Sequence, residues 1–315
     1  MTPETNTLTN ALPEAVSEAA APARSINELQ RLVWCVRREI WENRSIYIAP
    51  LAVAALIILG FFYSVVRIPA DSALFTSTTN INGVVTHTQH SFDPLQIYDL
   101  AAALLMGTTF LVGFFYSLDA LYGERRERSI LFWKSLPISD TTTVLSKAAI
   151  PIVVLPLLTW VVAIVTQAIM LLINLSVFHA RGMDTTALHT MSLTQGAVML
   201  LYHLIAIHAL WYAPIYAWLL LVSAWARKAP LMWAILPPVA IGVLEIITFH
   251  TNHFFEMLKY RFSGPEGSDG LTHSISSLHV TIGAFFSNPY LWAGLALAAV
   301  FLAAAIQLRH YRNPI

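Results

Sequence analysis

Six runs of apolar residues divide the chain, approximately Tyr47 to Val66, Tyr98 to Leu118, Ala148 to Ile173, Ala197 to Trp225, Leu231 to Phe249 and Leu291 to Leu308. At roughly 1.5 Å per helical residue each can cross a hydrocarbon layer of about 30 Å, so the pattern predicts six membrane-spanning helices. Pro151 and Pro156 in the third run and Pro214 in the fourth predict kinks, because each removes a backbone donor and crowds the preceding turn. Upstream, Leu29, Val33, Val36 and Ile40 recur at helical spacing, with Arg31, Arg37, Arg38 and Glu39 elsewhere on the cylinder. Trp34 and Trp41 suit a headgroup layer, and Ser25 and Glu28 have the spacing of a capping box. Residues 25–45 are therefore expected to form an amphipathic interfacial helix, a soluble helix packed on a partner being the alternative. Residues 1–24 are rich in Thr, Ala, Pro and Glu, lack an apolar core and read as a disordered tail.

Three polar segments connect the runs on one side: Arg67 to Ile97, Asn174 to Gly196 and His250 to Tyr290. The first two carry Asn, Gly, Ser and Thr and predict irregular or short helical structure. The third contains an apolar stretch, Leu278 to Phe286, that is too short to span. It suits either a re-entrant hairpin or a surface helix over the bundle.

Composition agrees with a chain made mostly of spans. Hydrophobic residues are 57% and charged residues 11% of the total, and the mean hydropathy is +0.62. A soluble domain carries about twice that charge. The formal net charge is zero, which argues against a nucleic-acid partner, and the lone cysteine, Cys35, excludes a disulfide within the chain. Counting Lys and Arg in alternating connections gives fourteen on the side of the two termini and four on the other. By the positive-inside rule both termini are expected in the cytoplasm.

The charge concentrates in Asp119 to Lys147, between the second and third runs. Glu124 and Arg128 have the order and spacing of a helical ion pair, Ile130, Leu131 and Trp133 give an oily side, Leu136-Pro137 marks a stop and Ser139 a cap. On charge alone this could be an ordinary positive loop that fixes topology.

The run Glu124-Arg125-Arg126-Glu127-Arg128-Ser129-Ile130-Leu131, followed by Leu136-Pro137-Ile138-Ser139 and Lys147, resembles the first cytoplasmic loop of ABC-2 type transporter permeases. Arg38 to Arg44 resembles the segment before their first span, and Trp211 to Pro238, with the tight Arg227-Lys228-Ala229-Pro230 turn, resembles their fourth and fifth. Many members have a glycine where this chain has Arg128 or Ser129. The resemblance implies that the loop carries a coupling helix seated in a groove of a separate ATPase, with Glu124, Arg125, Arg126, Glu127, Arg128, Ile130, Leu131, Trp133, Lys134 and Pro137 in the contact. It also implies two ATPase copies, a second permease copy in a homodimer or with a similar permease, and a re-entrant hairpin between the fifth and sixth spans. A bacterial inner-membrane location is implied as well.

Chemistry of the chain's own is sparse. No Gly-x-x-x-x-Gly-Lys-Ser/Thr occurs, so ATP and Mg would sit on the partner and this chain would bind no cofactor. Zinc-protease patterns are absent. His87 with His90 and His250 with His253 are each three apart, too few donors for a tight metal site. Glu245 lies within an apolar run, where an acid is costly unless paired. Counted from the outer helix ends, it falls at the depth of His203, roughly 6 to 9 Å in, so the two could form a polar latch or a substrate contact. A structural hydrogen bond is the plainer alternative. His208 lies deeper and, five residues on, on a different face. The aromatics Tyr202, Trp211, Tyr212, Tyr216 and Trp218 suit packing more than a substrate wall.

The expected fold is thus an all-α integral membrane protein: an interfacial helix at residues 25–45, then a six-helix permease domain over residues 46–315. Within it lie the coupling loop at 119–147 and the outer segment at 250–290. The expected function is that of the permease subunit of an ABC transporter, an exporter driven through the coupling helix and not itself an enzyme. The alternatives are a membrane-integral enzyme using Glu245 and the outer histidines, or a membrane scaffold or sensor.

Overall fold

The computed structural model describes residues 27–67, 74–81, 84–91, 94–129, 138–182, 193–264 and 282–311. The expected tail at 1–24, Ser25 of the capping box, the loop residues Ile130, Leu131, Trp133, Lys134 and Pro137, and the beginning of the Leu278 to Phe286 stretch lie outside them.

The first helix, α1 (Glu28–Glu42), begins after Asn27, whose side chain makes no capping bond. Leu29, Val33, Val36 and Ile40 share one face of α1. Val36 and Ile40 pack with Ile46, Tyr116, Ile150 and Leu155 inside the protein, while Leu29, Val33, Trp34 and Trp41 stay mostly exposed. Leu29 and Val33 continue the face of Val36 and Ile40, and Trp34 and Trp41 lie on the flank that carries Arg37, whose guanidinium lies 5.3 Å over the Trp41 ring.

Helix α2 (Ser45–Arg67) buries Ile46, Pro50, Ala54, Phe61 and Val65, a stripe at steps of four and seven. Its remaining sides expose Leu51, Leu56, Leu59 and Phe62. A helix that is apolar all round but buried on one stripe suits lipid on the others. Between α2 and α3 the chain forms an antiparallel hairpin, β1 (Leu74–Ile81) and β2 (Val84–Ser91), with Leu74 opposite Ser91 and Ile81 opposite Val84. This corrects the irregular or short helical structure expected there and adds a small hairpin to an otherwise helical protein. His87 and His90 lie on β2 rather than on a helix or turn.

Helix α3 (Pro94–Arg126) is about 50 Å long at 1.5 Å per residue and outreaches an apolar layer of about 30 Å. The third run starts at α4 (Asp140–Ala149), capped by the Ser139 hydroxyl, which accepts from the Thr142 amide at 3.1 Å. It continues through a π-helical stretch, Ile150–Val154, into α5 (Leu155–Ala180). Pro151 falls inside the π stretch and Pro156 just after it, and the wider turn absorbs the missing donor without a sharp bend. In the fourth run, α6 (Leu193–His203) passes into a π-helical segment, Leu204–Trp211, and then breaks by 45° before α7 (Ala213–Trp225). Pro214 opens α7, where a missing amide costs nothing.

Among the described residues five helical units are each long and apolar enough to cross a membrane: Ser45–Arg67, Ile97–Arg126, Asp140–Ala180, Pro230–Phe249 and Pro289–Tyr311. The bent pair Gly196–Trp211 and Ala213–Trp225 passes only when taken together. The chain has the character of a multi-pass membrane protein.

At the centre stands α7, buried on nearly every side between α3 and the last helix, α11 (Pro289–Tyr311). Ala213 and Ala217 meet Ala298, and such small residues let membrane helices approach closely. Helix α8 (Pro230–Phe249) lies at the edge, with only Ala234 and Gly242 fully buried. Two short helices, α9 (His253–Ser263) and α10 (Ile282–Ser287), fold back on this end of the bundle.

Candidate functional site

The densest polar chemistry among the described residues lies at the end of the bundle where α3 stops. Lys147 of α4 sits 2.8 Å from Glu39 of α1 and 3.1 Å from Glu124 of α3. The other oxygen of Glu124 pairs with Arg309 of α11, whose Nε lies 3.0 Å from Asp140 of α4. The Tyr116 hydroxyl donates to Glu39 at 2.7 Å. Five charged groups of alternating sign thus run Glu39, Lys147, Glu124, Arg309, Asp140, and the first four are buried. Arg125, lining the same small cleft as Arg309, adds a cation that balances the excess acid.

Each member has a local reason for its place. Asp140 lies in the first turn of α4, where the helix dipole favours an anion. Arg125 donates to the carbonyls of Ser223 and Ala226 at 2.7 and 2.6 Å and so closes the open end of α7. The Ser223 hydroxyl oxygen accepts from the amides of Leu121 and Tyr122, tying α7 to α3. Burying ions costs several kcal/mol each, about 20 in the idealised limit, and is tolerated only where partners and hydrogen bonds are nearly complete. The near-neutral chain meets that condition.

The sequence-based site residues divide accordingly. Glu124 and Arg125 face inward, and Glu124 pairs with Lys147 and Arg309 rather than with Arg128. Arg126, Glu127 and Arg128 are exposed. Helix α3 ends at Arg126, and Arg128 adopts φ 59°, a left-handed conformation that favours glycine. Glu39 and Lys147, absent from the expected contact set, complete the cluster. Glu39 has one visible signal in the sequence, an acid set among Cys35, Val36 and Ile40.

Burial raises the pKa of the Cys35 thiol above its ordinary value, and the neighbouring Glu39 carboxylate raises it further.

At the opposite end of the bundle the expected Glu245–His203 pair is not formed. Glu245 accepts from the Thr251 hydroxyl at 2.8 Å and from the amides of His253 and Phe254 at 2.9 and 2.8 Å. It is the cap of α9, holding the start of that helix against the end of α8. A count from helix ends misses this because a carboxylate at the end of α8 meets free amides before it can reach another span. His208 Nε2 lies 3.0 Å from the Met106 carbonyl, and its ring meets Tyr212 edge-on. The stretch carries five-residue bonds, such as that from the Tyr212 amide to the Ile207 carbonyl, and so turns less per residue than an α-helix. His203 and His208 are thereby drawn toward one side rather than apart. No group of three or more metal-ligating side chains occurs among the described residues.

Comparison with protein-family models, curated proteins and solved structures found no match.

Proposed function

We propose that the chain is the membrane subunit of an ABC-2 type exporter, with six spans, the bent α6–α7 pair counting as the fourth, both termini in the cytoplasm and α1 lying along the inner membrane surface. One observation carries the proposal beyond the resemblance of the Glu124 loop. Helix α3 runs unbroken to Arg126, and in its last turns Glu124 is clamped between Lys147 and Arg309. A force on the loop that begins at Glu127 therefore reaches α1, α3, α4 and α11 together. Two ATPases, closing on ATP, would push the exposed Arg126–Arg128 turn and the rest of the coupling loop, and the charged cluster would hand that movement to the spans. A substrate enters this cycle only through differential affinity for the inward-open and outward-open states.

The contact expected from the whole loop narrows in consequence. Arg125 caps α7 and belongs to the frame, while Arg126 and Arg128 are the cations among the described loop residues that are exposed to a partner. The test is co-purification of a soluble ATPase in stoichiometric amount with the tagged chain, with ATP hydrolysis in the same fraction. Arg126→Glu with Arg128→Glu is expected to release it. Retention after both reversals overturns the docking surface. Reaction of a cysteine placed at 128 with an impermeant reagent in intact cells overturns the orientation.

A further inference from the structure

Arg261, in the last turn of α9, is a cation with no acid against it among the described residues. Its Nη1 donates to the Trp211 carbonyl at 3.2 Å and its Nη2 to the Tyr290 carbonyl at 2.9 Å. The guanidinium carbon lies 4.4 Å over the Trp211 ring. No carboxylate among the described residues comes within ion-pair distance of it. Of the described acids on α8 and α9, Glu245 is engaged on the cap of α9 and Glu256 with Asn252; Glu266 and Asp269 lie outside the described residues.

The place is built for that group. A methyl on Gly294 of α11 would collide with Nη2, so the glycine is the slot into which the guanidinium fits. Gly294 lies five residues into α11, roughly 8 Å below its start at 1.5 Å per residue. A charge at that depth of an apolar bundle is costly unless something compensates it, and an intramembrane cation is by default a functional group. Two carbonyls, a ring face and the C-terminal end of α9 compensate it partly. A guanidinium has five N–H donors, and two of them bond to described residues.

We propose that Arg261 receives the phosphate of an anionic phospholipid from the layer that surrounds this end of the bundle. A guanidinium offers a phosphate two parallel donors, the geometry at which arginine exceeds lysine. The neighbouring surface suits the rest of such a lipid: Met257, one turn earlier on the same face of α9, and Phe262 are half exposed and apolar, and Tyr290 presents a ring beside the carbonyl that Arg261 holds. A free phosphate would gain nothing from those groups. Such a site needs only a surrounding bilayer and is independent of the ATPase-driven reading.

Native mass spectrometry of the detergent-solubilised full chain, titrated with phosphatidylglycerol and in parallel with phosphatidylcholine, tests it. The wild type is expected to retain phosphatidylglycerol about tenfold more strongly, the range of one charge-assisted contact. Arg261→Gln should abolish the preference, Arg261→Lys should keep part of it, and Lys259→Gln, which removes an exposed cation two residues away, should leave it intact. An unchanged preference in Arg261→Gln, or an equal loss in Lys259→Gln, overturns the proposal. Displacement of the lipid by inorganic phosphate as readily as by more phosphatidylglycerol overturns the lipid as the ligand. Should Arg261→Gln fail to fold, a photoactivatable phosphatidylglycerol on the wild type decides: crosslinks on peptides holding Met257, Phe262 or Tyr290 support the site, and their absence there overturns it.

Discussion

Glu39 and Lys147 are 108 positions apart and meet at 2.8 Å, both nearly sealed from solvent. Removing one partner of such a pair leaves the other buried and unpaired, at a cost of about 3–5 kcal/mol. Lys147→Met strands Glu39 and forces Glu124 onto Arg309 alone, so a large fall in melting temperature in detergent is expected. Glu39→Gln combined with Lys147→Met should cost less than the sum of the two single changes, because the contact can be lost only once. Additive losses would show that the two residues act separately.

That pair also marks where the sequence stops being legible. Five of the six apolar runs coincide with helices long enough to span, because length and hydropathy fix them, and the Ser139 cap is readable because a hydroxyl before a helix has one common use. The outer hairpin is not, since Thr- and Asn-rich segments fit turns and strands alike. At the site, Glu124 and Arg125 stand out in the sequence as charges, yet the sequence suggests the wrong side for them. A charge run normally reads as a wet face, and only long-range packing puts Lys147 and Arg309 behind it. Glu245 is conspicuous for its cost, but spacing along the spans points to His203 instead of its actual partners. Two of those three are backbone amides, which carry no residue signature.

Cys35 gives a solution probe of the same region. Its thiol pKa is raised, by burial first and by Glu39 second, so at neutral pH less thiolate forms than on an ordinary cysteine. The folded protein should therefore react slowly with a maleimide, and the rate should keep rising through and above the ordinary thiol range as the pH is increased. Because Lys147 lowers this pKa, Lys147→Met in protein that stays folded should push the rise to still higher pH. Rapid labelling of the native wild type at neutral pH would contradict the burial of this face of α1.

Two glycines should respond to alanine with opposite signs. A methyl on Gly242 would collide with the Phe255 ring, so Gly242→Ala forces α9 off α8 and should cost about 1–3 kcal/mol. Gly60, in the middle of α2, has nothing within 4 Å of the same methyl, and Gly60→Ala should gain roughly 0.5–1 kcal/mol of helix stability. Melting temperatures of the two variants, measured side by side, check the sign. Equal effects would mean that α9 is not seated against α8.

Glu245 decides whether α9 is held from its first turn. Three donors converge on one carboxylate, and glutamine offers a single acceptor oxygen without charge, so Glu245→Gln cannot keep the amides of both His253 and Phe254 and the Thr251 hydroxyl. Hydrogen exchange should accelerate across His253–Ser263 while α3, α5 and α7 keep their protection, since none of them bonds to this group. The loosening should extend to the Trp211 and Tyr212 side chains, whose indole N–H and hydroxyl donate to the carbonyls of Arg261 and Phe262. Through them it reaches the break between the π-helical segment and α7, and trypsin should cut more readily at Lys259 and Arg261. If exchange in α9 is unchanged in Glu245→Gln, the helix is held by Phe255 and Arg261 alone and the carboxylate is idle.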